Sequence, residues 1–432
     1  MIPGKVQNII QKEGVWENVK KQFRKNKLAV YSWRFILFML IIALLADFLA
    51  NEKPLVCKYK GSTYFPVFRS YLVDLELVKW NEGFQSSEWK KLDYDWAVFP
   101  PIPYLPKNID DKNIHSVSPF GEQNVPSKHW KHWMGTDELG HDVLAAMIHG
   151  TRIALFVGLV SMSIASFIGI LLGSLAGYFG DDKLKMTRIR LVFNIVFIFF
   201  ALFYGFGSRS YILGDALAKS FFSFIAQLIF SLIIIFFLIV IGNLISRPFE
   251  KIPILSKKIN IPIDMMISRF IEIMISIPTL FLIISIVAIA KPSLFLVMII
   301  IGLTSWTGIA RFIRAELLKV KHLEYIEAAH ALGFSERRTI FRHAIPNALS
   351  PVLISIAFGI ASAILIESTL SFLGIGVPAE TLTWGALLAE ARQSPTAWWM
   401  AICPGLAIFL TVTVYNLVGE GLTDALDPRL RK

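Results

Sequence analysis

Long apolar runs separated by polar segments dominate this chain. They lie at about 31–50, 152–179, 191–207, 221–245, 265–290, 293–310, 347–374 and 398–419. A helix needs about 20 apolar residues to cross a bilayer's hydrocarbon core, and helices satisfy their own backbone polar groups there. The pattern therefore predicts eight spanning helices, of which Leu191 to Gly207 is the shortest. A six-span arrangement lacking one adjacent pair keeps the same parity. Between the first and second runs lies a polar stretch, Asn51 to Gly150, that interleaves Tyr, Phe and Trp with charges and carries Pro100, Pro101, Pro103 and Pro106. Its β-like pieces, Tyr64–Phe68 and Tyr71–Val78, predict a small folded domain outside the membrane. Its near-neutral balance argues against a disordered charged linker.

Composition agrees with a membrane protein. Of 432 residues, 55% are hydrophobic and 17% charged, against about 25% charged in soluble domains. Two Cys cannot staple a chain of this length. The net charge of +11 would suggest nucleic acid in a soluble protein. Its distribution says otherwise. Residues 1–34 hold eight basic and two acidic side chains, and no small-residue cleavage site follows the first apolar run, which disfavours a signal peptide. The positive-inside rule places this end in the cytoplasm. Alternating from there, the inside segments 1–34, 181–190, 247–272, 311–343 and 419–432 carry 27 basic and 14 acidic residues, a balance of +13; the rest of the chain sums to −2. The charge reports orientation, and no nucleic-acid partner is expected.

The inside loop between the sixth and seventh runs holds the most chemistry. Leu323, Ile326 and Ala329–His330 recur with helical spacing. Gly333 supplies the left-handed stop that helix ends prefer, Ser335 caps a second helix, and Pro346 is expected to end it. Taken on its residues, the loop is either an interfacial segment satisfying the charge rule or a surface made to be gripped by a partner.

The loop resembles the EAA motif of binding-protein-dependent ABC importer permeases, with Glu327, Ala328, Ala329, Gly333 and Pro346 at the motif's spacing. The ending Arg342-His343-Ala-Ile345-Pro346-Asn347 resembles the dipeptide/oligopeptide permease C version. So do Gly135-Thr136-Asp137 with Gly140-His141-Asp142, then Arg152, the Ala176-Gly-Tyr-Phe-Gly180 string, Glu367-Ser-Thr-Leu370-Ser371, Trp384-Gly385, Trp398-Trp399 and the terminal Leu426-Asp427-Pro428-Arg429. Tyr64-Phe65-Pro66 and Pro100-Pro-Ile-Pro-Tyr104 look like the Yej-type branch, importers of peptides and microcin C. The resemblance implies an all-α polytopic membrane protein: a type I permease core, two extra transmembrane helices and a small extracytoplasmic domain between helices 1 and 2. The implied organisation is a cytoplasmic segment at 1–30, a first helix at 31–50, a periplasmic domain at 51–150, a second helix at 151–180, an inserted pair at 181–262 and a core at 263–432 with its coupling loop at 311–346.

The function so implied is a peptide permease subunit of the inner membrane, with both termini cytoplasmic. Its implied partners are a second homologous permease, two cytoplasmic ATP-binding subunits, a periplasmic peptide-binding protein and membrane lipid. Glu327, Ala328, Ala329, Gly333, Arg342 and Pro346 would meet the ATPase. Glu327 would be the polar anchor, Ala328 and Ala329 the close-packing residues and Gly333 the turn. The chain lacks a G-x-x-x-x-G-K-[ST] string, so no ATPase activity, catalytic residue or cofactor of its own is expected.

Two departures stand out. His141 occupies a position where the family usually has Arg, which casts doubt on a salt bridge there. The 181–260 region inserts two hydrophobic segments, the smallest number that returns the chain to the same face; they are expected to pack at the periphery. Other candidates have plain readings beside functional ones. His129 and His132 have metal-like i,i+3 spacing, but Trp130 and Trp133 interleave with them and an aromatic interfacial belt accounts for both. Glu367 near the outer end of the seventh run is a candidate pathway or gating residue. Asp264, Arg269 and Glu272 are expected to pair with one another. Competing functions are a permease for nickel, an opine or another solute, a secondary transporter or channel, and a membrane enzyme using the outer histidines.

Overall fold

The predicted apolar runs are helical, and one of them is broken at a proline. The structure, a computed structural model, describes residues 15–75, 77–80, 84, 89–252, 256–289, 291–378 and 381–426. Residues 1–14 of the basic amino-terminal segment and Asp427-Pro428-Arg429 of the terminal motif lie outside the described residues. Among the described residues, seven spans are long and apolar enough to cross a membrane. They are built on α1 (Lys27–Leu44), α2 (Val143–Ser174), α3 (Arg188–Leu202), α4 (Phe221–Phe249), α7 (Leu294–Val320), α9 (Ser350–Phe372) and α11 (Trp398–Leu426), the spans of α2 and α3 running on through π-helical turns to Phe179 and Gly207. The fifth predicted run is instead two helices, α5 (Ile263–Ser276) and α6 (Thr279–Ile289), bent by 79°. Pro278 between them has no N–H to donate and forces the preceding Ile277 into an extended conformation, φ −91°, ψ 122°. Counting that pair as one broken span gives eight. Two shorter helices complete the set used below, α8 (Glu324–Ala331) and α10 (Trp384–Ala391).

The chain divides into two compact units. One comprises residues up to Leu159 and from Ala357 onward. Within it α11 packs against α1 and α10. Asn26 caps α1, accepting a hydrogen bond from the Ala29 N–H (3.1 Å) and donating to Asp424 (3.2 Å). The segment between α1 and α2 contains a three-stranded antiparallel sheet in the order β2 (Ser62–Tyr64), β1 (Val56–Tyr59), β3 (Trp96–Val98), with Cys57 opposite both Tyr64 and Ala97. Tyr59, Tyr64, Phe84, Trp89 and Tyr94 form an aromatic cluster in this segment, with Phe84 stacked on Trp89 and the other pairs tilted or edge-on. The expected strands at 64–68 and 71–78 are not there. Residues Pro66–Asp74 form a helix, because Pro66 is pre-set for a first helical turn and Val67, Phe68, Tyr71 and Leu72 repeat at helical rather than alternating spacing.

The other unit spans Val160 to Ile356. In it α3 lies along α4. Their feet are closed by a two-stranded antiparallel ladder, β4 (Lys185–Thr187) paired with β5 (Lys258–Asn260). One strand precedes α3 and the other follows α4, so the inserted pair enters and leaves at one end. Both helices are predominantly apolar and expose most of their surface. The last turn of α2 widens into a π-helical turn, Leu175–Phe179, a geometry frequent at functional positions.

Candidate functional site

The predicted helix–glycine–helix element is present. Glu324 and Glu327 occupy the first turn of α8 and His330 its last, the arrangement that complements the helix dipole. Ile326 and Ala329 are buried and hold α8 to the body of the unit. Glu327 and Ala328 are exposed. So are Leu323, Tyr325 and Leu332, the last 73% exposed. Gly333 sits at φ +75°, a left-handed conformation that L side chains rarely adopt. The Phe334 N–H closes the helix end on the Ala329 carbonyl at 3.1 Å, as a Schellman end does. The Ser335 hydroxyl then accepts from the Arg338 N–H at 3.4 Å and caps the next helix, Glu336–Thr339.

Pro346 does not end that helix. The chain passes through a π-helical turn, Ile340–Ala344, into a short helix Ile345–Ala348 and then α9. Pro346 occupies the first turn of the Ile345–Ala348 segment, where its missing N–H is no loss. Arg342 and Pro346 are both exposed on this path.

A tyrosine at the end of α2 anchors the element, and an ion pair lies nearby. Tyr178, in the widened end of α2, is fully buried. Its hydroxyl donates to a Glu336 carboxylate oxygen and lies 3.2 Å from His330 Nε2. One phenol therefore touches both halves of the element. Beside it Arg314 of α7 makes a two-nitrogen contact with Asp264 of α5, its terminal nitrogen 2.8 Å from Oδ2. Gly177 lets α2 pass close to that arginine, since a Cβ there would lie 2.7 Å from the Arg314 carbonyl oxygen. The expected mutual pairing of Asp264, Arg269 and Glu272 is therefore only half right. Arg269 pairs with Glu272 one turn on (2.6 Å), while Asp264, at the first turn of α5, faces α7 instead.

Glu367 belongs to the other unit. It is 1% exposed, and its oxygens accept from the Ser371 hydroxyl (2.6 Å) and the Ser368 hydroxyl (3.4 Å).

The histidines between α1 and α2 serve separate partners. His132 is fully buried, with Nδ1 2.8 Å from Asp142 and Nε2 3.1 Å from Asp110. Both nitrogens donate only when the ring is charged. Burial opposes that charge, but the two carboxylates outweigh it and raise the imidazole above its ordinary value. Burial opposes the Asp110 charge too, yet His132 and Asn113 bring that carboxyl down to about 2. His129 is exposed and meets Trp130 edge-on. His141 does form a bridge where one was doubted: its Nδ1 lies 2.6 Å from Asp137 Oδ2. Four residues along a tight turn, the shorter imidazole still reaches. That contact raises His141, and burial beside Asp137 pushes Glu390 of α10 up to about 7.

Residues 252–432 match the family described as binding-protein-dependent transport system inner membrane component, and residues 14–64 match the N-terminal TM domain of oligopeptide transport permease C. The chain is 27% identical to the inner membrane ABC transporter permease protein YejE of Escherichia coli, over 94% of this chain and 95% of that one. It is 25% identical to the peptidoglycan transport system permease protein YejE of Agrobacterium fabrum, over 96% and 92%. It is 27% identical to the dipeptide transport system permease protein DppC of Bacillus subtilis, over 74% and 75%.

Proposed function

Because this chain belongs to the binding-protein-dependent transport inner-membrane components, in its dipeptide/oligopeptide permease C branch, we propose that it is one spanning subunit of an ATP-driven importer of peptides. A second permease would complete the translocation path, two ATPase subunits would sit on the cytoplasmic face, and a periplasmic binding protein would deliver substrate. The charge excess on 1–34 and 311–343 supports a cytoplasmic amino terminus and a cytoplasmic helix–glycine–helix element. Peptide-containing substrates fit the relatives named for dipeptides and peptidoglycan.

The observation that carries the coupling role is the division of α8 into a held face and an offered one. Ile326 and Ala329 are buried, whereas Leu323, Tyr325 and Leu332 project with Glu327 and Ala328. Apolar side chains kept in water on a short, anchored helix are suited to a partner's groove. Closure of the ATPase pair would push on α8. Tyr178 would pass the displacement to α2, and the Asp264–Arg314 contact would pass it to α5 and α7. Glu367, enclosed by serines, would act in gating rather than line the path.

Cysteine cross-linking tests this directly. In a chain with Cys57 and Cys403 replaced by Ser, Ala328→Cys should cross-link to co-expressed ATPase subunits, with a yield that changes with nucleotide. Ala329→Cys, which is buried, should not. An assembled complex giving no cross-link from Leu323, Ala328 or Leu332 would overturn the assignment.

A further inference from the structure

Two adjoining hollows lie beside the end of α2, and of the residues given a coupling role only Arg342 borders either of them. The first, about 620 Å³, is lined on one side by Phe167, Ile170, Leu171 and Leu175 of α2 and on the other by Ile340 and Phe341. The α2 residues repeat at three- and four-residue intervals, so they form one stripe along the helix. The second, about 530 Å³, is lined by Arg337, Arg338 and Arg342 with Ser335. Arg337 and Phe341 border both, so the apolar slot opens onto the arginine cluster.

The dimensions and charges point to one occupant. From Phe167 to Leu175 the stripe rises about 12 Å at 1.5 Å per residue, within the roughly 15 Å hydrocarbon depth of a single leaflet. The arginines stand at the end of the slot where the span ends, the level of lipid headgroups. Among the described residues, none of the three guanidinium groups has a carboxylate partner; Arg338 lies over the Phe334 ring at 4.2 Å. Glu336, which also borders the slot, is engaged by Tyr178. Guanidinium forks match phosphate oxygens in pairs. An acidic protein surface would satisfy the arginines but leave Phe167 and Leu171 uncovered.

We propose that these hollows form a binding site for an anionic phospholipid, with an acyl chain along the α2 stripe and the phosphate against Arg337, Arg338 and Arg342. Basic sites at the ends of spans are a recurring form of lipid recognition. The proposal rests on α2 crossing the membrane and is independent of what the protein transports.

The test is native mass spectrometry of the full chain, purified in detergent and exposed to phosphatidylglycerol or phosphatidylcholine with the same acyl chains. Phosphatidylglycerol should be retained with a preference on the order of tenfold or more, as three nearby arginines provide. Replacing Arg337, Arg338 and Arg342 together by Gln should abolish the preference while leaving weak chain binding. Leu171→Trp, which fills the slot, should reduce retention of both lipids, and unchanged thermal unfolding of each variant shows that it has folded. Equal retention of the two lipids, or a preference that survives the triple substitution, overturns the proposal. So does a triple variant that loses ATPase co-purification with its lipid preference intact, because the cluster would then be a protein-docking surface.

Discussion

The phenolic oxygen of Tyr178 lies 3.2 Å from Nε2 of His330, a residue 152 positions later in the chain, and the same hydroxyl donates to Glu336. It is the one described hydroxyl that ties the π-helical end of α2 to both sides of the Gly333 turn. Tyr178→Phe keeps the ring in its buried site and removes only these contacts. It should reduce stability by about 1 kcal/mol. ATP hydrolysis by the assembled complex should continue while peptide uptake per ATP falls several-fold. Uptake stoichiometry in proteoliposomes measures this, and unchanged coupling would reduce Tyr178 to a packing residue.

Gly333 has open space around it; a Cβ there would meet nothing within 4 Å. Its requirement is conformational, set by φ +75°. Gly333→Ala should therefore cost about 1 kcal/mol and Gly333→Val up to about 3 kcal/mol. The valine variant should uncouple uptake from hydrolysis more than the alanine variant. Equal, wild-type uptake in both would remove the turn from the mechanism.

Asp264 and Arg314 join α5 to α7 in a partly exposed pair. After allowance for screening, removing either partner alone should destabilise by about 1–2 kcal/mol. Asp264→Asn combined with Arg314→Gln should recover part of that loss, because neither group is then left uncompensated. Thermal unfolding of the four proteins closes the cycle; strict additivity would mean that the two side chains do not interact.

His132 should make stability fall in alkaline solution. The folded protein holds the imidazolium more tightly than the unfolded chain, whose ordinary value is 6.5. The stabilisation is therefore complete below that value and is lost as pH rises through the raised one. His132→Gln should destabilise by about 3 kcal/mol at neutral pH, since it leaves Asp110 and Asp142 without their buried cation. It should also flatten the decline of Tm above pH 6.5. A variant whose Tm keeps the wild-type slope there would show that the ring is not charged.

Glu390 acts in a neighbouring window. Its carboxyl keeps a proton up to about pH 7 in the folded protein, whereas the unfolded chain releases it near 4.5. Stability should therefore drop between pH 4.5 and 7, and Glu390→Gln should remove that part of the slope. Calorimetry across the window compares the two proteins, and identical profiles would place Glu390 in ordinary solvent.

The spans were legible in the sequence because lipid leaves no other solution for twenty apolar residues than a self-satisfied helix. The Gly333 turn was legible because its signal is local: a glycine after a helical repeat, then a capping serine. Where local signals competed, sequence reasoning was less successful. Pro66–Asp74 is helical although its aromatics suggest strand, and Pro346 opens a helical segment although a proline there suggests a stop.

The partners of individual side chains lay beyond the sequence's reach. Arg269 was the nearest cation along the chain to Asp264, yet Asp264 faces Arg314 because α5 and α7 are packed side by side. Likewise nothing near Tyr178, His132 or Glu390 in the chain announces their neighbours. The sequence by itself determined the apolar spans, the charge asymmetry, the family resemblance and the Gly333 turn. Only the tertiary structure decided which face of α8 is held and which is offered, and which charges are shared. Helical period and charge are properties of short segments, whereas hydrogen bonds and ion pairs form between groups within a few ångströms, and only the folded packing brings distant segments that close.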